Sequence, residues 1–382
     1  METTNMQDIE QPKEKSRLSA LLKTIGKVLL VLLETVALLV VTLYGVLFIL
    51  AKGPSPTARD IFVMSVRETS AIGFIADLFF TPEEIAAIEA KEEEEFVDTD
   101  TSLIVIPSEP DDETQTGPVP DEWGLVDEDG DGIIIDEVRG EGYSGYMMVV
   151  LDPSRVILGC RPEMFGVEGL RVAQMAKHFG AVAAINASGF LDEGGLSNGS
   201  TVVGSFVMNG VDYGTPDYNY LFFGMQRDNR LHIQWGVSET EKYRWAFQFS
   251  PALIINGKIV VEGSYGWGLQ PRSAIGQTKN GDFLMLIVDG RQVGYSIGCL
   301  VEDSAKILKK HRAFQAVNMD GGSSSIMAYQ GKIITKNSSK SELGREIPNS
   351  LVVTHSQAGN RHSGGEEKDA PPVENDSEET EN

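Results

Sequence analysis

One stretch of the chain places a carboxylate, two glycines and three hydroxyls in consecutive positions. Asp320 is followed by Gly321 and Gly322 and then by three serines. Glycine has no Cβ, so backbone N–H groups can approach a ligand closely, and serine hydroxyls are neutral donors that suit phosphate or sugar oxygens. The apolar residues 314–317 predict a short buried strand just before the acid. The motif therefore predicts a ligand site at a strand end, with a tight turn between two strands as the alternative.

Four further polar clusters have comparable chemistry. Asn186 follows the apolar run 183–185, Asp289 follows 286–288, Arg272 precedes a predicted hairpin, and Arg345 lies in a weaker cluster. Guanidinium groups bind phosphodiesters through forked donors. Two carboxylates can act as general acid and base, or as acid and nucleophile, at an anomeric carbon. Together, the two carboxylates, the two arginines and the amide suit a phosphorylated sugar. The alternative is that each cluster by itself is an ordinary turn or a surface ion pair.

An apolar run near the start of the chain predicts a membrane helix. Residues 28–50 carry one charge, Glu34, and at about 1.5 Å per residue they can cross a hydrocarbon core of about 30 Å. A signal peptide fits less well because the run is long and lacks a small-x-small cleavage pattern. Basic residues concentrate before the run, which predicts a cytoplasmic segment 1–27 and an exported remainder.

The strand and helix pattern predicts an α+β fold with mixed twisted sheets and a few packed helices, preceded by the transmembrane helix and a helical stalk. Residues 52–95 are the predicted stalk, with a partner-binding helix as the alternative, and 96–122 form an acidic, proline-containing linker. The globular domain is predicted over 123–356 and a disordered acidic tail over 357–382. Predicted strands include 205–208, 220–225, 231–234, 252–255, 258–261 and 283–288.

Charge and cysteine content exclude some classes of protein. The net charge is −24, so a nucleic-acid partner is not expected. The two cysteines, Cys160 and Cys299, lie far apart in the sequence. A disulfide and two buried free thiols both remain open, but a disulfide scaffold is excluded.

Five motifs in a fixed order resemble those of the phosphodiester glycosidase family. They are Ile-Asn-Ala-Ser-Gly-Phe at 185–190, Pro-Arg-Ser-Ala-Ile-Gly at 271–276, Val-Asp-Gly at 288–290, Asn-Met-Asp-Gly-Gly-Ser-Ser at 318–324 and Arg-Glu-Ile-Pro at 345–348. The resemblance spans about residues 145–355. It implies hydrolysis of a sugar-1-phosphodiester that releases the sugar and leaves a phosphomonoester.

The resemblance also implies roles for individual residues. Asp320 and Asp289 are the expected catalytic carboxylates, with their individual roles left open, and the expected substrate-binding residues are Arg272, Asn186, Gly321, Gly322, Ser323, Ser324 and Arg345. Ala187 and Ser188 stand where many members carry two glycines. If those glycines admit the substrate, the two side chains here are expected to narrow the site or shift its preference.

An acidic loop resembles the first half of a calcium-binding loop. Asp127, Asp129 and Asp131 occupy positions 1, 3 and 5, but position 12 is Val138 where a bidentate Glu is expected. A turn is therefore the favoured interpretation. No metal site and no cofactor are predicted, with a divalent cation such as Ca²⁺ left open.

These observations predict a single-pass cell-membrane protein with an extracytoplasmic glycosidase domain. The expected substrate is a glycosyl phosphodiester, similar to an N-acetylglucosamine-1-phosphodiester, in envelope or extracellular polysaccharide. The alternative is a non-catalytic glycan-binding or wall-organising protein on the same fold. The membrane contact is expected through 28–50, and the sequence does not indicate an oligomeric state.

Overall fold

The computed structural model describes residues 11–67, 69, 72–89, 98–106, 127, 129–164, 166–192, 197–263 and 267–355. The chain divides into two compact units, Met1–Lys91 and Glu92–Asn382, which are described separately. Most of the predicted linker, the predicted tail and the first ten residues lie outside the described residues.

The N-terminal unit is helical. Its helices are α1 (Gln11–Lys52), α2 (Pro56–Arg67), α3 (Phe74–Asp77) and α4 (Pro82–Glu89). The Leu21–Lys52 part of α1 is long and apolar enough to cross a membrane, a criterion that an anchor and a signal sequence both meet. Helix α4 starts with a capping box, in which the Thr81 hydroxyl accepts from the Glu84 N–H at 3.2 Å and the Thr81 N–H donates to the Glu84 carboxylate at 2.9 Å. The Thr-Pro-Glu-Glu sequence predicts this start.

The C-terminal unit contains three sheets and two covering helices, α5 (Val172–His178) and α6 (Val301–Lys310). The first sheet has seven strands in the order β1 (Ile133–Gly140), β2 (Tyr143–Val150), β13 (Phe283–Val288), β12 (Arg272–Thr278), β14 (Ala313–Met319), β10 (Ala252–Ile255) and β11 (Lys258–Ile259).

The other two sheets have five strands each. The second runs in the order β16 (Lys332–Ile333), β15 (Met327–Tyr329), β4 (Ala181–Asn186), β17 (Asn349–Thr354) and β3 (Val156–Cys160). The third runs in the order β6 (Val211–Asp212), β5 (Phe206–Met208), β9 (Tyr243–Gln248), β7 (Leu221–Gln226) and β8 (Leu231–Trp235).

The predicted α+β class is confirmed. Where the sequence analysis predicts mixed sheets, the pairings among these strands are antiparallel throughout. Short turns join several neighbours directly, as between β1 and β2 and between β12 and β13, and such hairpins can only produce antiparallel pairs.

The main core lies between the sheets. Met285 of the first sheet, Ile185 of the second and Phe247 of the third belong to one buried cluster. Helix α6 buries Leu308 in a second cluster with Leu286 of β13. Because β13 is covered on both faces, all six of its residues are buried, as its continuous apolar sequence predicts.

Residues 98–106 belong to this unit, although the sequence analysis places them in the linker. Asp98 bridges Gln234 at the edge of β8, and Thr99 exchanges hydrogen bonds with Ile233. Ile104 is fully buried. The Val105 N–H donates to the Lys279 carbonyl at 2.8 Å, in the turn between β12 and β13.

Both cysteines are buried and unpaired. The Cys160 thiol donates to the Pro348 carbonyl, and Cys299 contacts the Ser304 hydroxyl. The interpretation of two buried free thiols is therefore the one the structure supports.

Candidate active site

The predicted site residues gather where strands of two sheets end. In the first sheet, β12 is antiparallel to both neighbours, so its first residue pairs with Val288 at the end of β13, and Ser273 pairs with Met319 at the end of β14. In the second sheet, Asn186 at the end of β4 pairs with Ser350 near the start of β17. Loops at such an edge are the usual place for functional side chains on a rigid scaffold.

Asn186 joins the two sheets from a buried position. Its amide nitrogen donates to the Asp320 carbonyl at 2.6 Å, and its amide oxygen accepts from the Ser273 hydroxyl at 2.9 Å. Only 1% of the residue is exposed. The side chain that was expected to bind a sugar hydroxyl therefore holds the backbone of Asp320.

Arg272 is also buried, with 2% exposed. Its guanidinium donates to the carbonyls of Cys299 at 3.2 Å, of Gly268 at 2.6 Å and of Trp267. It also lies 5.7 Å from the centre of the Trp267 ring. The guanidinium that was expected to bind phosphate is thus surrounded by backbone carbonyls and fixes the segments that carry them.

Asp289 is 1% exposed. Its carboxylate accepts from the Tyr295 hydroxyl at 2.9 Å and from the Lys336 N–H at 3.1 Å. Burial raises its pKa to about 6, against the lowering effect of these donors. The carboxylate ties together the two loops that contain Tyr295 and Lys336.

The Asp-Gly-Gly-Ser loop is partly exposed, and its backbone requires glycine. A Cβ on Gly321 would lie 2.8 Å from the Pro271 carbonyl oxygen. Gly322 has φ +60°, a conformation that side chains disfavour, and its N–H donates to the same carbonyl at 2.9 Å. The loop then forms a short 3₁₀ turn over Gly322–Ser324. The sequence pattern is therefore both a turn and an accessible ligand surface.

Asp320 is partly exposed, but its Oδ2 atom is buried and has no hydrogen-bond partner among the residues that the structure describes. Burial raises the pKa of this carboxyl to about 7; Ser324 and Arg345 oppose the rise, and Asp192 adds to it. A carboxyl with this pKa exchanges a proton near neutral pH, which suits general acid or base chemistry.

Next to this carboxyl is a forked ion pair. Arg345 donates to both oxygens of Asp192, at 2.6 and 2.7 Å, and to the Ser323 hydroxyl at 3.3 Å. Its guanidinium carbon is 4.7 Å from the centre of the Phe190 ring. The hydrogen bonds from Arg345 lower the pKa of Asp192, so this carboxylate stays ionised while Asp320 does not at slightly acidic pH.

A second arginine lies on the other side of the loop. The exposed Arg291 has φ +60°, and its guanidinium donates to the Gln270 amide oxygen at 3.1 and 2.5 Å. A Cβ on Gly322 would lie 3.3 Å from this guanidinium. The absence of that Cβ leaves room for the arginine directly over the loop.

The predicted residues therefore form two groups. Asp320, Gly321, Gly322, Ser323 and Arg345 have partial solvent exposure, whereas Asn186, Arg272, Asp289 and Ser324 are buried beneath them.

Ala187 and Ser188 are buried as well. Ser188 donates from its N–H and its hydroxyl to the Asn349 amide oxygen, at 3.0 and 2.8 Å. Neither side chain is exposed where a ligand would contact it, so neither narrows the accessible surface.

Sequence reasoning did not select Asp192 or Arg291. Both have a local signal: Asp192 lies six residues beyond Asn186 on the loop that follows β4, and Arg291 lies two residues beyond Asp289. Each is the first charged residue after a polar residue that ends a strand.

The acidic loop lies elsewhere in the unit, before β1. The carboxylates of Asp127, Asp129 and Asp131 have oxygens within 4.8 Å of one another, a set that can hold a divalent cation. The same oxygens accept from N–H groups of the loop, including those of Gly130, Gly132 and Ile133. These bonds are those of the turn favoured by the sequence.

Comparison with known proteins identifies the domain that carries this site. Residues 179–354 match the family model of the phosphodiester glycosidases. The C-terminal unit thus contains a domain that is similar to the phosphodiester glycosidases. The matched model is one of glycosidase-type hydrolases, and the matched range contains the whole strand-end edge described above.

Individual relatives of the glycosidase domain are distant. A prophage-derived uncharacterised protein of Bacillus subtilis, YomE, is 29% identical over 198 residues, which cover 48% of this chain and 29% of that protein. The match thus spans less than a third of that relative's length.

Two solved structures are also similar. One is the zebrafish N-acetylglucosamine-1-phosphodiester alpha-N-acetylglucosaminidase catalytic domain, auto-inhibited by its pro-peptide, with 21% identity, a TM-score of 0.46, and coverage of 58% of this chain and 82% of that one. The other is a hypothetical protein from Synechocystis, with 15% identity, a TM-score of 0.44, and coverage of 58% and 62%.

Proposed function

We propose that the glycosidase domain hydrolyses a sugar-1-phosphodiester at the Asp-Gly-Gly-Ser loop. The observation that carries the proposal is that two carboxyls with opposite pKa shifts lie near each other at one accessible strand-end edge, on the loops that follow β4 and β14. Asp320 has its pKa raised to about 7, and Asp192 has its pKa lowered by Arg345. Environments that separate two carboxyl pKa values are typical of acid–base sites.

Asp320 is the general base in this proposal. It removes a proton from a water molecule whose oxygen attacks the anomeric carbon, and the bond between that carbon and the phosphate oxygen breaks. The electron pair stays on the phosphomonoester, which is a weak base with a second pKa of about 6 and needs no proton to leave. A carboxylate with a raised pKa is a stronger base than an ordinary one.

Arg291 is the proposed phosphate ligand, because its guanidinium is exposed over Gly322. The Ser323 hydroxyl is available to the same oxygens or to a sugar hydroxyl. Arg345 is already matched by Asp192, so this pair holds the loop and contributes no net charge. Arg272, Asn186 and Asp289 are assigned as positioning residues.

The proposed setting is the cell envelope, with α1 as a single membrane anchor and the domain outside the cytoplasm. The apolar Leu21–Lys52 segment supports an anchor. The proposed substrate class is a glycosyl phosphodiester of envelope or extracellular polysaccharide, similar to an N-acetylglucosamine-1-phosphodiester. The non-catalytic alternative depended on Ala187 and Ser188, whose buried side chains give it no support.

The test is sugar release by the purified full chain in detergent, over a panel of sugar-1-phosphodiesters. Asp320→Asn is expected to lower kcat/KM by about 10²–10⁴-fold, the usual contribution of a general base. Arg291→Gln is expected to lower it by about 10–100-fold, since a hydrogen bond to a charged group contributes about 1.5–3 kcal/mol.

Asp228→Asn is the matched control, because Asp228 is exposed in the turn between β7 and β8 and pairs with Arg230. It is expected to leave turnover unchanged. Turnover that survives Asp320→Asn would refute the assignment of the base. Glycan binding without turnover on any member of the panel would favour the binding-protein alternative.

A further inference from the structure

A polar cavity lies at the end of the first sheet opposite the candidate active site. Its volume is about 640 Å³, within the range of about 300–1,000 Å³ typical of small-molecule sites. Three turns and the end of α6 form its walls, and the lining residues are Asn256, Gly257, Thr278, Lys279, Asn280, Asp282, Lys309, Arg312, Ala313 and Phe314.

This cavity is remote from the candidate active site. Strand β12 begins at Arg272, beside the site, and ends at Thr278, in the cavity wall. Six residue steps at about 3.4 Å separate the two ends by about 20 Å. A ligand of sugar size in the cavity therefore does not reach Asp320.

The lining is cationic in a strongly acidic protein. Lys279, Lys309 and Arg312 face one acid, Asp282, whereas the whole chain has a net charge of −24. The Thr278 hydroxyl donates to the Asp282 carboxylate at 3.0 Å. Because the chain as a whole is acidic, a local excess of three cationic side chains over one carboxylate is unusual. Such an excess favours the binding of an anion.

Two of the three cations contact groups of the cavity wall. The Lys309 ammonium donates to the Gly257 carbonyl at 2.5 Å, and the Lys279 ammonium lies 4.9 Å from the centre of the Phe314 ring. The helix dipole explains a lysine in the last turn of α6. It does not explain Lys279, which comes from the turn between β12 and β13.

Arg312 directly follows His311, the C-cap residue of α6. Its φ is +59°, in the left-handed region where glycine and asparagine are the usual residues. A side chain in this conformation is disfavoured relative to glycine. The only other described arginine with such a backbone is Arg291, at the candidate active site.

We propose that this cavity binds the phosphate group of a phosphorylated saccharide. Lysine ammonium groups and the forked arginine are the protein groups that bind phosphate oxygens. The amide oxygen of Asn256 already accepts from the Asp100 N–H and the Gln315 amide, and its amide nitrogen is a donor that matches a sugar hydroxyl oxygen. A free sugar phosphate and a phosphate on a longer anionic chain present the same group, and the cavity serves either as a binding site separate from the catalytic loop.

The test is calorimetric titration of the full chain in detergent with glucose 1-phosphate, with uncharged glucose and with polyphosphate. The key variant is Lys279→Gln combined with Arg312→Gly, because glycine suits φ +59° and removes the guanidinium without adding strain. The matched control is Lys332→Gln, which removes an exposed lysine at the start of β16. The titrations are also made in protein that carries Arg291→Gln, which removes the phosphate-binding residue proposed for the catalytic loop.

Glucose 1-phosphate is expected to bind the Arg291→Gln protein, and the double variant is expected to weaken that binding at least tenfold while Lys332→Gln does not. Glucose is expected not to bind. If polyphosphate binds, glucose 1-phosphate does not, and the double variant weakens polyphosphate binding at least tenfold, the cavity is a phosphate site whose ligand is a polymer. No binding of either phosphate probe, or binding that the double variant leaves unchanged, overturns the proposal. The outcome is separate from that of the turnover assay, since none of these cavity residues contacts the catalytic loop in the proposed reaction.

Discussion

Replacing Asp320 by asparagine is expected to stabilise the protein above neutral pH while it lowers turnover. The folded-state pKa of this carboxyl is raised from 3.8 to about 7, so the folded state binds a proton more tightly than the unfolded state does. The stability that this proton contributes is fully present below pH 4 and is lost as the pH rises to about 7. At pH 8 the ionised carboxylate therefore destabilises the fold, and asparagine removes that charge.

The size of the effect follows from the shift. A difference of about 3 units, at 1.36 kcal/mol per unit, corresponds to about 4 kcal/mol. Water reaches part of Asp320 and screens its charge, so we take about half of this, or about 2 kcal/mol. With about 2–4 °C per kcal/mol for a unit of this size, the Tm is expected to rise by about 4–8 °C at pH 8.

Tryptophan fluorescence can measure this selectively, because residues 1–91 contain no tryptophan, whereas Trp235, Trp245 and Trp267 lie in the described part of the C-terminal unit. Thermal unfolding of the full chain is followed at pH 8 and pH 5, and the gap between Asp320→Asn and the unchanged protein is expected to narrow at pH 5. Asp192→Asn is the matched control of opposite sign, because Arg345 lowers the pKa of Asp192 and so stabilises the ionised form. A Tm at pH 8 that is unchanged or lowered in Asp320→Asn would contradict the reasoning.

Three further predictions concern pH, backbone and thiols. If Asp320 is the base, kcat/KM rises with pH through about 7 and then levels off, whereas a fall over that range would make it a proton donor. Gly322→Ala places a Cβ 3.3 Å from the Arg291 guanidinium and is expected to lower both Tm and kcat/KM. Gly331→Ala is the control, because Gly331 also has a positive φ but a Cβ there would have no atom within 4 Å, and it is expected to lower Tm alone. Burial raises the thiol pKa of Cys160 to about 12 and of Cys299 to about 11. Mass spectrometry is therefore expected to find neither thiol alkylated in the folded protein at pH 8 and both alkylated in urea.

Much of the sheet framework could be predicted from apolar runs. Predicted strands at 205–208, 231–234 and 252–255 correspond to Phe206–Met208, Leu231–Trp235 and Ala252–Ile255. The apolar runs before Asn186, Asp289 and Asp320 also located the strand ends, and these residues do meet at one edge. Local sequence is sufficient here because a strand and the polar residue that ends it are adjacent in the chain.

The division between accessible and buried residues could not be predicted. Asn186 and Arg272 carry the same motif signal as Asp320, yet their side chains donate to backbone carbonyls, including those of Asp320 and Cys299 on other segments. The ion pair between Arg345 and Asp192 spans 153 residues. Which polar side chain faces solvent depends on the packing of one sheet against another. The residues next to it in the sequence do not determine that packing.

The segment 98–106 has a consequence for shortened forms of the protein. Strand β8 is the outer strand of the third sheet. On the edge of β8 that no other strand pairs with, Thr99 forms hydrogen bonds of 2.9–3.1 Å with the backbone N–H and carbonyl of Ile233. An uncovered outer strand is a template on which another chain can add. A protein cut at 123, where the sequence analysis places the start of the domain, would expose this strand and self-associate through it. One that starts at 98 would keep the strand covered and stay dispersed.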